Sequence, residues 1–417
     1  MSAPGAASEP GRTIRMLYFV REPYPTFRPD VEVLFGQEML RRGHEVDLVM
    51  QAEREQEGCG PKSWHGRTVF VGPTDSRNGY VHRFRKHWLA VLHDLKSLRR
   101  ATAERYQAVQ VRDKFLIAAA CAFFARRRGL KFFYWLSFPE PESQLLRVRE
   151  RTARYPIASY IRGIVFGWLL YRWILPRCDH AFMQSEQMRR DVAAHGIDAR
   201  KLSAVPMGIA AADVSPAARP MQAQASLTLG YLGTLNPQRR LEILIDMLAL
   251  LHQRGERARL LFVGGGDYPE DQLRLERRIA ELGMQPFVEI TGFLPRQVAL
   301  ERIAQADICL SPFYPTPVLR STSPTKLVEY LALGLPVIAN DHPEQRLVLK
   351  QSRAGVCVPW GARHFARAVL WLAARGPAAR ARMGECGRTW VLAHRTYARI
   401  ADELEQRYLE LLALPRH

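Results

Sequence analysis

Short runs with an apolar core alternate with helix-length segments along most of the sequence, and the alternation breaks off once and starts again. Strands with a near-continuous apolar core belong to parallel sheets covered on both faces. A strand–helix–strand order supplies the crossover such sheets need. The first half reads as strand "IRMLYFV" (14–20), helix "VEVLFGQEMLRRG" stopped by Gly43, and strand "HEVDLVM". It goes on through strand "YQAVQVR", helix "KFLIAAACAFFARRRG", strand "LKFFYWLSF", a helix around 157–175, strand "HAFMQS", a helix over 186–195 and strand "KLSAVPM". Residues 206–226 are rich in Pro, Ala and Ser and read as a linker. The second half restarts with "LTLGYLG", a helix over 239–254, "ARLLFVGGG", a helix over 269–283, "VEITGF", helix "QVALERIAQA" and "DICLSPF". A helix over 324–333, strands "LPVIAN" and "GVCVPW", and helices from 362 to 413 close it. The expectation is an α/β chain of two Rossmann-like, doubly wound domains facing a central cleft, 14–205 and 227–393, behind a disordered tail over 1–13.

The chain carries a net charge of +19 and a pI near 10.1. This favours an anionic partner, whether phosphorylated substrate, acidic membrane face or nucleic acid, and is equally compatible with a solvated basic surface. No helix-turn-helix, zinc finger or aromatic RNA-binding motif is present, so nucleic acid is not expected. The six cysteines are scattered without a CxxC, which argues against a zinc site or disulfide framework and fits a reducing compartment. No metal-ligand cluster is visible. The N-terminus lacks the charged-then-apolar order of a signal peptide. Residues 157–175 are about long enough to span a bilayer, but they contain Arg162 and Arg172. Each would cost roughly 2.5–3.5 kcal/mol at its centre, so a buried or membrane-surface helix is expected. Residues 82–100 place Trp88, Val91, Leu92, Leu95 and Leu98 on one stripe, with Arg83, Arg85, Lys86, Lys96, Arg99 and Arg100 around it. Such a helix lies on anionic lipid or packs against a domain.

Three stretches carry chemistry. In "LLFVGGGD", a strand runs into Gly264, Gly265 and Gly266, where backbone amides can meet a phosphate or simply form a tight turn. In "GYLGTLNPQRRLEIL", Arg239 and Arg240 are read as opening a helix, an unfavourable place for cations unless an anion lies near. In "SPTKLVEYLALGLPVIAND", Ser323 is a plausible N-cap and Pro324 a natural first helical residue. Lys326 and Glu329 are the only charges on that helix and share a face. A cation at the helix start suits a phosphate, and a carboxylate one turn on suits paired sugar hydroxyls.

The run "ADICLSPFYPTPVLRSTSPTKLVEYLALGLPVIAND" resembles the donor-binding segment of family 4 glycosyltransferases, which have the GT-B fold. The order "GYLGTL…RR", "LLFVGGGD", "VEITGFL" and then this run matches the family as well, and "RRGHEVDLV" and "CDHAFMQSEQMRRDV" resemble its first-half passages. The resemblance implies a retaining transfer from a UDP-, GDP- or ADP-sugar to an acceptor hydroxyl, with no permanently bound cofactor. The first domain would bind acceptor, the second donor, and a C-terminal helix over 394–417 would pack back across both. Gly233 and Thr234, with Gly265, would lie by the pyrophosphate. Arg240, or alternatively Arg239, matches the cation that binds it. Phe293 and Leu294 match the segment beside the base. Ser323, Thr325 and Lys326 would sit at the phosphates, and Glu329 at the ribose.

Two departures stand out. Ser321 occupies the position, eight residues before Glu329, of the family's other glutamate, which touches the donor sugar. Ser137 stands where many members carry a histidine. Asp113 and Glu140 are the polar groups at strand ends in that half and are expected near the acceptor. With the basic helices, these features point to a cytoplasmic enzyme peripheral to the inner membrane face. It would act on a lipid-linked or polysaccharide acceptor in cell-surface glycan synthesis. The departures keep open an inactive binding or scaffold subunit, and the shared fold keeps open a nucleotide-sugar epimerase.

Overall fold

The computed structural model describes residues 13–26, 28–77, 79–213, 226–266 and 268–415. The expected N-terminal tail, apart from Thr13, and residues 214–225 of the expected linker lie outside them. The chain divides into two units, Met1–Pro206 with Tyr397–His417, and Met207–Thr396.

The first unit is an eight-stranded sheet: β1 (Arg15–Tyr24), β2 (Glu45–Ala52), β3 (Gly60–Trp64), β4 (Arg67–Gly72), β5 (Ala108–Arg112), β6 (Lys131–Leu136), β7 (His180–Met183) and β8 (Leu202–Ala204). The order is β3-β4-β2-β1-β5-β6-β7-β8. Every pairing is parallel except the β3–β4 hairpin. That hairpin was not assigned from sequence, because "GPKSW" is short, polar and carries the proline that only an edge strand tolerates. β1 shows why both faces are apolar. Leu17 and Phe19 enter one core with Val109, Val111 and Phe115. Met16, Tyr18 and Val20 enter the other. The helix Tyr397–Ala413 covers that second face with Tyr397, Ile400, Leu404, Tyr408 and Leu411. It follows the second unit in sequence yet belongs to the first.

Two expected helices form with altered winding. Asp30–Glu38 is a π-helix running into Met39–Arg41, and Pro156–Trp168 passes through the π-wound Leu169–Ile174. Among the described residues no helix is long and apolar enough to cross a membrane.

The second unit is a six-stranded, fully parallel sheet: β9 (Leu227–Leu232), β10 (Ala258–Val263), β11 (Val288–Ile290), β12 (Ile308–Ser311), β13 (Val337–Asn340) and β14 (Gly355–Val358). Its order, β11-β10-β9-β12-β13-β14, reverses direction between β9 and β12. At that switch the loops leaving neighbouring strands part, and open α/β sheets bind ligands there.

Candidate functional site

The carboxyl ends of β9, β10 and β12 converge on the helix Thr325–Ala332. Tyr330 sets this helix in place. Its buried hydroxyl accepts from Leu232 N at 2.7 Å and reaches Leu310 O at 3.4 Å, tying the helix to β9 and β12. Asn340 holds the next loop with two bonds to the Phe313 backbone, at 2.6 and 2.8 Å.

These anchors enclose Lys326. Its side chain is buried, and among the described residues Nζ has no hydrogen-bond partner. The ammonium lies 3.8 Å from the Tyr231 ring centroid and 5.5 Å from that of Phe313. Burial, and then the nearby Arg239 charge, hold its pKa well below the usual lysine value, with Glu329 opposing them. A buried cation without a hydrogen-bond acceptor is costly; an anionic ligand would remove the cost. Gly233 borders the ammonium. At φ +133° it adopts a backbone conformation that side chains rarely take, and a Cβ there would stand 3.3 Å from Nζ. Gly264 packs onto Gly233 so closely that a Cβ would come 2.3 Å from the Gly233 carbonyl oxygen. Thr234 accepts from the Tyr231 hydroxyl through its carbonyl, and Gly265 accepts from Leu235 N.

The two arginines separate. Pro237–Arg239 is a 3₁₀ turn and the helix starts only at Glu242, so neither arginine opens it as expected. Arg239 lies by Lys326, with its guanidinium 5.7 Å from the Phe313 ring centroid. Arg240 has φ +48°, is exposed, and stacks 4.3 Å from the Tyr314 ring centroid. The expected cap also moves. Pro324 is the N-cap residue, and Ser323 Oγ accepts instead from Met207 N at 3.0 Å. Thr325 and Lys326 occupy the first turn, whose amides have no intrahelical acceptor.

Glu329 is buried one turn on, and its Oε1 accepts from Arg296 Nη1 at 2.7 Å. Arg296 was missed in the sequence, although a cation opening the helix Arg296–Ile303 carries the same signal that drew attention to Arg239 and Arg240. Phe293 is 65% exposed beside Gly265, and Leu294 is half-buried in the core.

In the first unit, Asp113 follows β5 with φ +50°. Its Oδ1 accepts from Ser137 N at 3.0 Å and its Oδ2 from Ser137 Oγ. Burial pushes its pKa up to about 6, against the pull of Arg112. Arg112 is fully buried between Asp30 (2.6 Å) and Glu22 (3.0 Å). Glu140 opens the helix Glu140–Arg149, accepts from Gln144 at 2.7 Å and lies 3.6 Å from Arg21. Among the described residues no His/Cys/Asp/Glu group could hold a metal.

Two family models match the chain. A glycosyl transferase 4-like domain matches residues 35–208, and glycosyl transferases group 1 matches residues 226–375. The chain is 25% identical over 195 residues to the amylovoran biosynthesis glycosyltransferase AmsK of Erwinia amylovora. That alignment spans 46% of this chain and only about half, 47%, of the relative. Among solved structures, sucrose-phosphate synthase of Thermosynechococcus elongatus superposes with a TM-score of 0.73 at 17% identity, over 96% of this chain and 99% of that one. Anabaena HepE in complex with UDP superposes at 0.65 and 14% identity, over 95% and 100%. With a family model on each unit and this fold in both, the chain belongs to the family 4 glycosyltransferases of GT-B fold.

Proposed function

We propose that the chain transfers a sugar, with retention, from a nucleoside-diphosphate sugar to a hydroxyl of a lipid-linked or polysaccharide acceptor. The observation that carries this is Lys326, a buried side chain whose Nζ has no hydrogen-bond partner among the described residues, flanked by Arg239 and bordered by Gly233. The leaving group is a nucleoside diphosphate whose charge grows as the glycosidic bond breaks. Lys326, Arg239 and the first-turn amides of Thr325 and Lys326 would stabilise that charge without reorganising. Arg239 takes the pyrophosphate role and Arg240 stays at its rim. Glu329 would accept from the ribose, and Phe293 would border the base. That Anabaena HepE is seen with UDP supports a nucleotide donor, and AmsK's part in amylovoran biosynthesis supports a role in glycan biosynthesis.

The test is a thermal-shift series with UDP, GDP and ADP on wild type and Glu329→Ala. One nucleotide at about 100 times its Kd should stabilise the wild type by ~2.7 kcal/mol, and the variant should lose most of that shift. A folded wild type that responds to none would put the scaffold reading first. Turnover of donor without acceptor would favour the epimerase.

The acceptor is proposed to lie at the carboxyl ends of β5 and β6, with Asp113 receiving its hydroxyl and Glu140 beside it. We place the enzyme on the inner face of the cytoplasmic membrane because of two helices. Tyr80–Leu98 exposes Phe84 (72%) and Trp88 (56%), along with Leu92 and Leu95. Pro156–Trp168 exposes Ile157 (78%), Ile161, Ile164 and Trp168. Arg162 of the second helix is near enough to the first that, after burial, its charge is what most lowers the His87 pKa. Arg85, Lys86 and Lys96 lie on the first helix and Arg162 on the second. Vesicles rich in phosphatidylglycerol should carry the protein in flotation, and phosphatidylcholine vesicles should not. Binding should weaken with salt and fall at least tenfold in Phe84→Ser/Trp88→Ser. Equal binding to both lipids would remove the membrane from the proposal.

A further inference from the structure

Glu329 does not stand alone. The Arg296 guanidinium that donates from Nη1 to Glu329 Oε1 at 2.7 Å also donates from Nη2 and Nε to Asp213 Oδ2, at 2.9 and 3.3 Å. Glu329 is buried, Asp213 half-buried, and Arg296 itself is 40% exposed. Arg296 comes directly after Phe293, Leu294 and Pro295. Three chain segments far apart in sequence therefore meet at one fork.

We propose that Arg296 is the positioning residue for the donor nucleoside, which deepens the donor-site reading above and rests on it. The final torsion of a glutamate is broad and two-fold. A ribose diol needs a carboxylate held in one plane with acceptor capacity to spare. Arg296 fixes Oε1 and leaves the other oxygen for the ligand. Asp213 is the second half of the device. By engaging Nη2 and Nε it stops the guanidinium from turning its whole fork onto Glu329, an arrangement that would use up both oxygens.

The test compares the tightest-binding of UDP, GDP and ADP with its 2′,3′-dideoxy analogue, by calorimetry on the full chain. Wild type should prefer the parent nucleotide by about tenfold or more, as charge-assisted hydrogen bonds imply. Glu329→Ala should remove that preference. Arg296→Ala should bring it to within about twofold, Asp213→Asn should reduce it partly, and inorganic pyrophosphate should bind all of them alike. Arg296→Lys keeps the charge but cannot fork, and should fall between. Arg296→Gln replaces the alanine variant if that one fails to fold. An arginine variant that keeps the wild-type preference, or binds nucleotide more tightly because the guanidinium had been blocking the carboxylate, overturns the proposal alone. A wild type with no preference overturns the ribose role of Glu329 and this proposal with it. A wild type that binds no nucleoside diphosphate overturns the donor site as a whole.

Discussion

Lys326→Met should lower kcat/KM for the donor by about 10²–10³-fold, the usual loss when one preorganised charge-stabilising donor is removed. The same change should raise the melting temperature of the ligand-free protein. Wild-type Lys326 places its ammonium among Tyr231, Phe313 and Gly233 with no hydrogen-bond acceptor among the described residues. Methionine fills a similar volume without a charge to desolvate. Each kcal/mol relieved should add roughly 2–4 °C in a unit of this size.

The pH dependence separates relief of a buried charge from better packing. The folded-state pKa of Lys326 is well below 10.5. Between that lowered value and about 10.5 the unfolded chain binds a proton that the folded chain does not, so wild-type stability rises with pH across the window. The variant's advantage is then largest below the folded pKa and closes toward pH 10.5. A diphosphate beside Nζ should favour the charged form, so nucleotide binding should take up a proton at pH values above the ligand-free pKa of Lys326. Calorimetry in buffers of different ionisation enthalpy would read that uptake, and Lys326→Met should abolish it. A melting-temperature gap independent of pH, with no uptake, would mean that Lys326 is a packed side chain and not a phosphate ligand.

How far the sequence carried this site depended on how local each cause is. Lys326 and Glu329 were legible because two charges on an otherwise apolar helix need a reason, and their shared face follows from helix geometry alone. The parallel sheets were legible because their strands carry apolar cores and alternate with helix-length segments. What stayed hidden involves partners far away in the chain. Ser323 looked like a cap, but its hydroxyl is taken by Met207 N, and the N-cap falls one residue later. Spacing favoured Arg240 over Arg239. The 3₁₀ turn and the left-handed φ of Arg240 leave Arg239 the nearer of the two to Lys326 and set Arg240 against Tyr314. Arg296 was passed over because Asp213 lies 83 residues away and Glu329 33. Tyr330 reads as one more core aromatic until its hydroxyl is seen joining two strands.

Asp113→Asn should lower kcat/KM for the acceptor by about 10²-fold, within the range for loss of a positioned proton acceptor. Asparagine is the informative replacement, because it tolerates the left-handed backbone that Asp113 adopts at φ +50°, where alanine would add strain. Burial lifts the Asp113 pKa to about 6, above the 3.8 of a free aspartate. Wild-type activity should therefore fall about tenfold per pH unit below 6, as the ionised acceptor disappears. The variant should be slow and flat through that region. Stability should move the other way. Between 3.8 and about 6 the folded state holds a proton that the unfolded state has lost, so wild-type stability declines as pH rises through the window and stays reduced above it. Asp113→Asn should escape the decline and be the more stable protein at pH 7. If the variant were as slow as predicted but kept the acid limb near 6, another group would carry the proton. A variant of unchanged activity would leave Asp113 as a brace for the Ser137 turn, which its two bonds there already make it.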